Sequence, residues 1–307
     1  MDLVSNFFSA HFFWITNPTV IARQALAGLN TGMLLFLISS GLSLIFGVTR
    51  VINFAHGVMY MLGAYLALTV VRNLPESPAQ FVLMLLLAPL CLALLGGIFE
   101  IFILRRIYRS AHVFQLLVTF SLVLILGEFV KIPWGSQSHD VPVPGFLQGS
   151  VIFHGLTFPL YRVFIIGVSL MVGIGLWLIL FRTRWGMTVR AATFDRDMVD
   201  VIGVNVTMLY TTVFALGAGL AGLAGALAAP VVGVEPGLHA TVINEAFIVV
   251  VIGGLGSVGG ALIGALLLGE VNAFGLLAFP NITLVITFIL MTVVLIFRPW
   301  GIVGKPE

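Results

Sequence analysis

The sequence predicts an all-α polytopic membrane protein with about eight or nine helices that cross the bilayer or enter it part-way. Three observations carry that prediction. Of the 307 residues 60% are hydrophobic and only 8% charged, where a soluble domain carries about 25% charged residues. Apolar stretches of about 20 residues, enough to span about 30 Å of hydrocarbon, recur along the whole chain. The few basic residues lie at the ends of those stretches, where they orient helices and carry no message about nucleic acid. A transmembrane β-barrel would show short alternating segments instead.

Taken in order, the apolar segments fall at 21–46, 51–71, 79–104, 113–131, 158–181, 208–229, 242–254, 260–278 and 282–297. They form one transmembrane domain over 1–307. Residues 1–18 lack the basic start of a secretory signal and hold Phe7, Phe8, Phe12, Phe13 and Trp14, the composition of a segment lying at the membrane surface. Segment 242–254 is too short to cross and ends in the glycine-rich break GGLGSVGG. Such breaks occur at membrane depth where backbone is buried in protein or lines a cavity.

Orientation follows from charge. With the N-terminus outside and alternating segments, Arg50, Arg105, Arg106, Arg109, Arg182, Arg184, Arg190, Arg196, Arg298 and Lys305 fall on the cytoplasmic side, against Arg23, Arg72, Lys131 and Arg162 outside. This positive-inside bias puts the C-terminus in the cytoplasm. The proline-rich outer loop, 132–158, is long enough to dock a partner. The inner loop, 183–207, holds a large share of the charge, and 188–202 reads as one amphipathic helix. Val189, Ala192, Val199 and Ile202 form its apolar face and Gly203 its C-terminal stop. A helix of that kind between two spans needs something to rest on.

Small residues such as Gly28 and Gly32, or Gly217, Gly219, Gly222 and Gly225, allow helices to approach closely without specifying a substrate. The first segments, leading into VINFAHGVMYMLGAYLAL, are echoed by 242–254 leading into VIGGLGSVGGALIGALLL, each followed by a third span. Duplicated units with matching breaks point to a substrate path between them.

Several chemistries find no support. Gly254-x-Gly256-x-x-Gly259 matches a dinucleotide fingerprint, but the chain continues into an apolar helix and no acidic residue follows about 20 positions on. Gly304-Lys305 is followed by Pro306, without a phosphate-binding loop. If transport is ATP-driven, another polypeptide hydrolyses the ATP. The six histidines are scattered and no metal-ligand or nucleophile–base spacing occurs, so no catalytic residue, metal or cofactor is expected. The single cysteine, Cys91, forms no internal disulfide.

Polar residues within apolar sequence are costly and need a reason. Asn53 and His56 either cap a broken helix or face the substrate path, and the two roles are compatible. Glu100 with Arg105, and Glu128 with Lys131, read as pairs near helix ends. Glu245 suits the start of the short helix. Glu270 lies deepest and is the best candidate for a functional intramembrane acid.

The stretch VINFAHGVMYMLGAY resembles the INFAHG…YMLGAY motif of permease subunits of branched-chain (hydrophobic) amino-acid ABC importers. GMTVRAATFDRDMVDVIGVN, VVIGGLGSVGGALIGALLLG and RPWGIVGKPE match the same family in order. The resemblance implies a bacterial plasma (inner) membrane protein that pairs with a second related permease or itself. Two cytoplasmic ATPases and an external substrate-binding protein complete the importer. It implies an ATPase-coupling loop carrying Gly186, Arg190, Ala191, Ala192, Asp195 and Gly203; the polar residues and helix breaks read above supply a candidate substrate path of Asn53, His56, Gly57, Glu245, Gly254, Gly256 and Glu270. Relatives that import urea, short amides, or organic and aromatic acids leave those substrates as an alternative. A stand-alone secondary transporter or channel is a second one, and a scaffold subunit a third. A carrier does not need a coupling helix.

Overall fold

The computed structural model describes residues 17–153 and 156–304. The expected surface segment 1–18 therefore lies, but for its last two residues, outside the described residues, as does Lys305. The chain is a bundle of α-helices, and the all-α membrane reading holds. Helix α1, Pro18–Thr49, starts where Asn17 accepts a hydrogen bond from the Thr19 N–H and Pro18 presets the first turn. At 32 residues it is about 48 Å long, and it ends at Arg50 in the left-handed conformation, φ 54°.

The chain then turns back without helix over residues 50–55 before α2, His56–Asn73. The apolar segment begins at residue 51, but helix begins only at His56. Instead 51–55 climb back along α1, so that His56 meets Ile38 in the middle of that helix. Next come α3 (Pro78–Phe102, capped by Ser77), a 3-10 turn Leu104–Arg106, α4 (His112–Phe129) and the single turn α5 (Lys131–Trp134). The outer loop contains an antiparallel hairpin, β1 (Ser150–Phe153) with β2 (Leu156–Pro159). It leads into α6, Leu160–Arg182.

The inner loop departs from expectation. It is two helices, α7 (Arg184–Phe194) and α8 (Arg196–Val201). Asp195 breaks the run: its backbone is extended, and its carboxylate accepts from the Asp197 and Met198 N–H groups, which starts α8 afresh. Val189, Ala192 and Val199 are buried as expected, but Ile202 is exposed, because the helix ends at Val201 and Ile202 is its C-cap. Gly203 ends α8 at φ 87°. The rest is α9 (Val206–Val232), α10 (Leu238–Gly253), α11 (Val258–Ala278) and α12 (Thr283–Phe297).

Among the described residues seven helices are long and apolar enough to cross a membrane; α2 is not one of them, and α10 is a shorter apolar helix. The core is α1, α2 and α9, with α11 laid along α1. Glycines make these contacts possible. A Cβ on Gly32 would lie 2.9 Å from the Ala265 carbonyl oxygen of α11, and one on Gly41 2.6 Å from that of Gly217 in α9. Helices α3, α4, α6 and α12 bury one face or less; on α12 only Thr287 is buried.

The ends of the bundle differ in charge. Glu100, Arg105 and Thr211 meet at one end, where Gly47, Thr193, Gly256 and the turn Trp300–Gly304 also gather. This basic end carries the arginines that close α3, α6 and α12. At the far end Arg72 donates to His139 Nδ1 at 2.9 Å, Lys131 pairs with Glu128 at 2.5 Å, and Glu76 accepts from the Gly145 N–H at 2.7 Å. The two breaks lie at different depths. The one before α2 is at the middle of α1, while the one before α11 is level with Gly47 at the basic end.

Candidate functional site

The expected path residues separate into three places. Asn53 and His56 are fully enclosed, 1% and 0% exposed. Asn53 Oδ1 accepts from the Ala55 N–H at 3.1 Å and closes the turn that starts α2. His56 Nε2 donates to the Ile38 carbonyl at 2.9 Å, so the start of α2 is tied to the middle of α1. Gly57 lets α2 touch α10; a Cβ there would be 2.7 Å from the His239 carbonyl oxygen. Glu245 lies inside the bundle in a polar relay. The Asn272 amide donates to it at 3.3 Å, and Thr287 donates to Asn272 at 2.9 Å, joining α10, α11 and α12. Glu270 packs its carboxylate onto Gly28 of α1. Gly254 and Gly256 are at the basic end, at φ 104° and 81°, pressed against Gly304 and Gly47.

Replacing His56 with alanine removes its bond to Ile38 and empties a volume in the core. Stability should fall by about 2 kcal/mol. Thermal unfolding of the purified variant in detergent checks this; an unchanged midpoint would show that the tie to α1 contributes nothing.

A different set of residues forms an open groove of about 340 Å³, lined by Ile52, Phe54, Asn244, Phe247, Ile248, Val251, Phe288 and Met291. One wall is the non-helical segment 50–55, the floor is α10 and the other wall is α12. Phe54 packs on Phe247 with ring centroids 5.1 Å apart. Thr119 of α4 donates to the Ile52 carbonyl at 3.4 Å and closes the side. The exposed face of α10 above the groove is small and polar: Ala240, Thr241 and Asn244 are exposed. By contrast the exposed mid-helix faces of α3 and α6 are aliphatic and aromatic.

The wall carries a further anomaly. The backbone N–H groups of Ile52, Asn53 and Phe54 have no acceptor among the described residues, and neither does Asn53 Nδ2. Unpaired amides at membrane depth cost several kcal/mol each against lipid, so they belong where water or another protein covers them. The groove face is thus unlike the faces built for hydrocarbon.

The model of the branched-chain amino acid transport system permease component matches residues 24–295. The chain belongs to this family. The chain is 32% identical over 295 residues to the high-affinity branched-chain amino acid transport system permease protein BraD of Pseudomonas aeruginosa, covering 93% of this chain and 96% of the relative. It is 28% identical to the corresponding LivH of Escherichia coli K12, with 93% and 96% covered. To a probable LivH of Methanocaldococcus jannaschii it is 29% identical, with 88% and 89% covered. No solved structure matches. As a permease component it is a transport protein and not itself an enzyme.

The residues named for the coupling loop of this permease build an elbow. A Cβ on Gly186 would collide with the Ile179 and Leu180 carbonyl oxygens, so α7 folds tightly back on α6. Arg190 donates to the Leu180 carbonyl and lies over the Phe181 ring, 4.7 Å from its centroid. Ala192 is buried, Ala191 exposed, and Asp195 caps α8. The apolar face that remains outward is Met187, Phe194, Met198 and Val201. Sequence reasoning missed this face because it assumed one continuous helix. It also missed the groove residues Ile52, Phe54, Asn244 and Phe247. An Asn within an apolar run was the available signal for the groove.

Proposed function

We propose that this permease forms the translocation path of an ABC importer for branched-chain or other hydrophobic amino acids. The observation that carries the reading is the groove face: a polar lane on α10, unpaired amides in 52–54, and an apolar floor of volume suited to an aliphatic side chain. The family supports it, since the relatives named above are branched-chain amino acid permeases.

In this reading the basic end faces the cytoplasm of a bacterial plasma membrane, as the positive-inside rule requires. A second permease, related or identical, covers the groove face and encloses the path. Two cytoplasmic ATPases dock on α7 and α8, whose exposed Met187, Met198 and Val201 lie beyond the membrane with no lipid to bury them. A substrate-binding protein delivers the amino acid to the far end. ATP binding moves the docked helices, and the path changes the side to which it opens. The amino acid biases that equilibrium only through contacts that differ between the two states.

The experiment is ATP-dependent uptake by proteoliposomes holding the permease with its ATPases, companion permease and binding protein. Labelled leucine, isoleucine and valine should accumulate only with ATP inside. Uptake of urea or fructose without leucine uptake would overturn the reading. So would leucine uptake indifferent to the ATPases.

A further inference from the structure

We propose that the groove holds its amino acid as a net-neutral zwitterion, with the carboxylate on the free backbone N–H groups of Ile52 and Phe54 and the Asn244 amide, and the side chain on Phe247 and Val251. The inference rests on the path reading above and adds how the substrate is recognised there.

The groove lining contains no charged side chain; Asn244 is its one polar member. A lone ammonium or carboxylate in such a site would be an uncompensated charge at membrane depth, which is costly. A zwitterion carries both charges with none net, and its polar head needs only dipoles. The wall supplies them as donors. The N–H groups of Ile52, Asn53 and Phe54 are unpaired at the start of α2, where the helix dipole favours a negative group. The buried Asn53 side chain adds an independent sign of the same polarity. Its Oδ1 is fixed by the Ala55 N–H, which leaves Nδ2 as a further donor without a partner beside the same turn. The Ile52 and Phe54 amides, without acceptors on residues that line the groove, are complementary to a carboxylate. Asn244 can donate to it and also accept from the ammonium.

One turn along α10 in the direction of the basic end, Phe247, Ile248 and Val251 offer only carbon. That places an aliphatic side chain below the polar head. The arrangement selects for a hydrophobic neutral amino acid and against one with a charged side chain.

The single native cysteine makes a clean test. In a Cys91→Ala background, Val251→Cys is introduced and the assembled transporter is placed in nanodiscs, where a water-soluble methanethiosulfonate reaches both faces. The expected results are that the new thiol is labelled, that leucine slows labelling, and that leucinol, which lacks the carboxylate, does not. Adding Asn244→Leu should leave labelling intact but raise the leucine concentration needed for protection about tenfold, the loss of one charge-assisted hydrogen bond. A thiol that never labels overturns the path reading itself. A thiol that labels, but is protected equally by leucine and leucinol, by neither, or undiminished in the Asn244→Leu variant, overturns the carboxylate site and leaves the path standing.

Discussion

Replacing Arg105 with alanine should destabilise the protein by about 3 kcal/mol. Glu100 is 0% exposed at the basic end of α3. Its carboxylate accepts from Arg105 Nη2 at 2.9 Å and Nε at 3.4 Å, and from Thr211 Oγ1 of α9 at 2.6 Å. Arg105 itself is partly solvated, so the pair in isolation adds little. Its removal costs much more, because the acid stays buried without its counter-charge. The expected signs are a lower unfolding midpoint in detergent and a lower yield of membrane-inserted protein. Adding Glu100→Gln to the Arg105→Ala variant should restore most of the loss, since a neutral amide can still bond Thr211 and carries no charge to bury. A midpoint for Arg105→Ala equal to wild type would show that water reaches Glu100.

Gly256→Val should cut uptake about tenfold or more while ATP hydrolysis continues, a coupling loss of ordinary allosteric size. Gly256 sits where three elements meet. Its Cβ position is 3.0 Å from Gly47 Cα at the end of α1 and 3.9 Å from Thr193 Cγ2 on α7, and it lies in the break between α10 and α11. Its φ of 81° suits glycine and costs a β-branched residue about 1–2 kcal/mol. Valine would therefore push α7 and the end of α1 away from the break that closes the groove helix. The readout is amino acid imported per ATP hydrolysed by the reconstituted transporter. If both rates fall together, the variant has an assembly defect and Gly256 has no part in transmission.

Some of this was legible from residues alone. The composition and the nine apolar segments gave the membrane class, and each segment corresponds to a helix. The pairs Glu100–Arg105 and Glu128–Lys131 follow from spacing on a helix, which fixes neighbours within about a turn. The inner-loop helix was misread as continuous because Asp195 serves equally well as a polar face residue and as an N-cap. Propensity does not decide between them; the local hydrogen bonds do. The start of α2 was placed too early for a related reason. VINFAHG is as apolar as a helix, and only the tie between His56 and Ile38 shows that 51–55 run back along α1 without helix.

The sequence by itself determined the solvent, the number of segments, the family and the presence of a polar anomaly at Asn53 and His56. All of these depend on composition and on contacts within a few residues. Only the tertiary structure shows that His56 ties α2 onto α1, and that the groove beside it is lined by Ile52, Phe54 and Asn244. The reason is distance along the chain. The groove joins segment 50–55 to α10 and α12, about two hundred residues away, and which amides remain unpaired is known only after every helix has been packed.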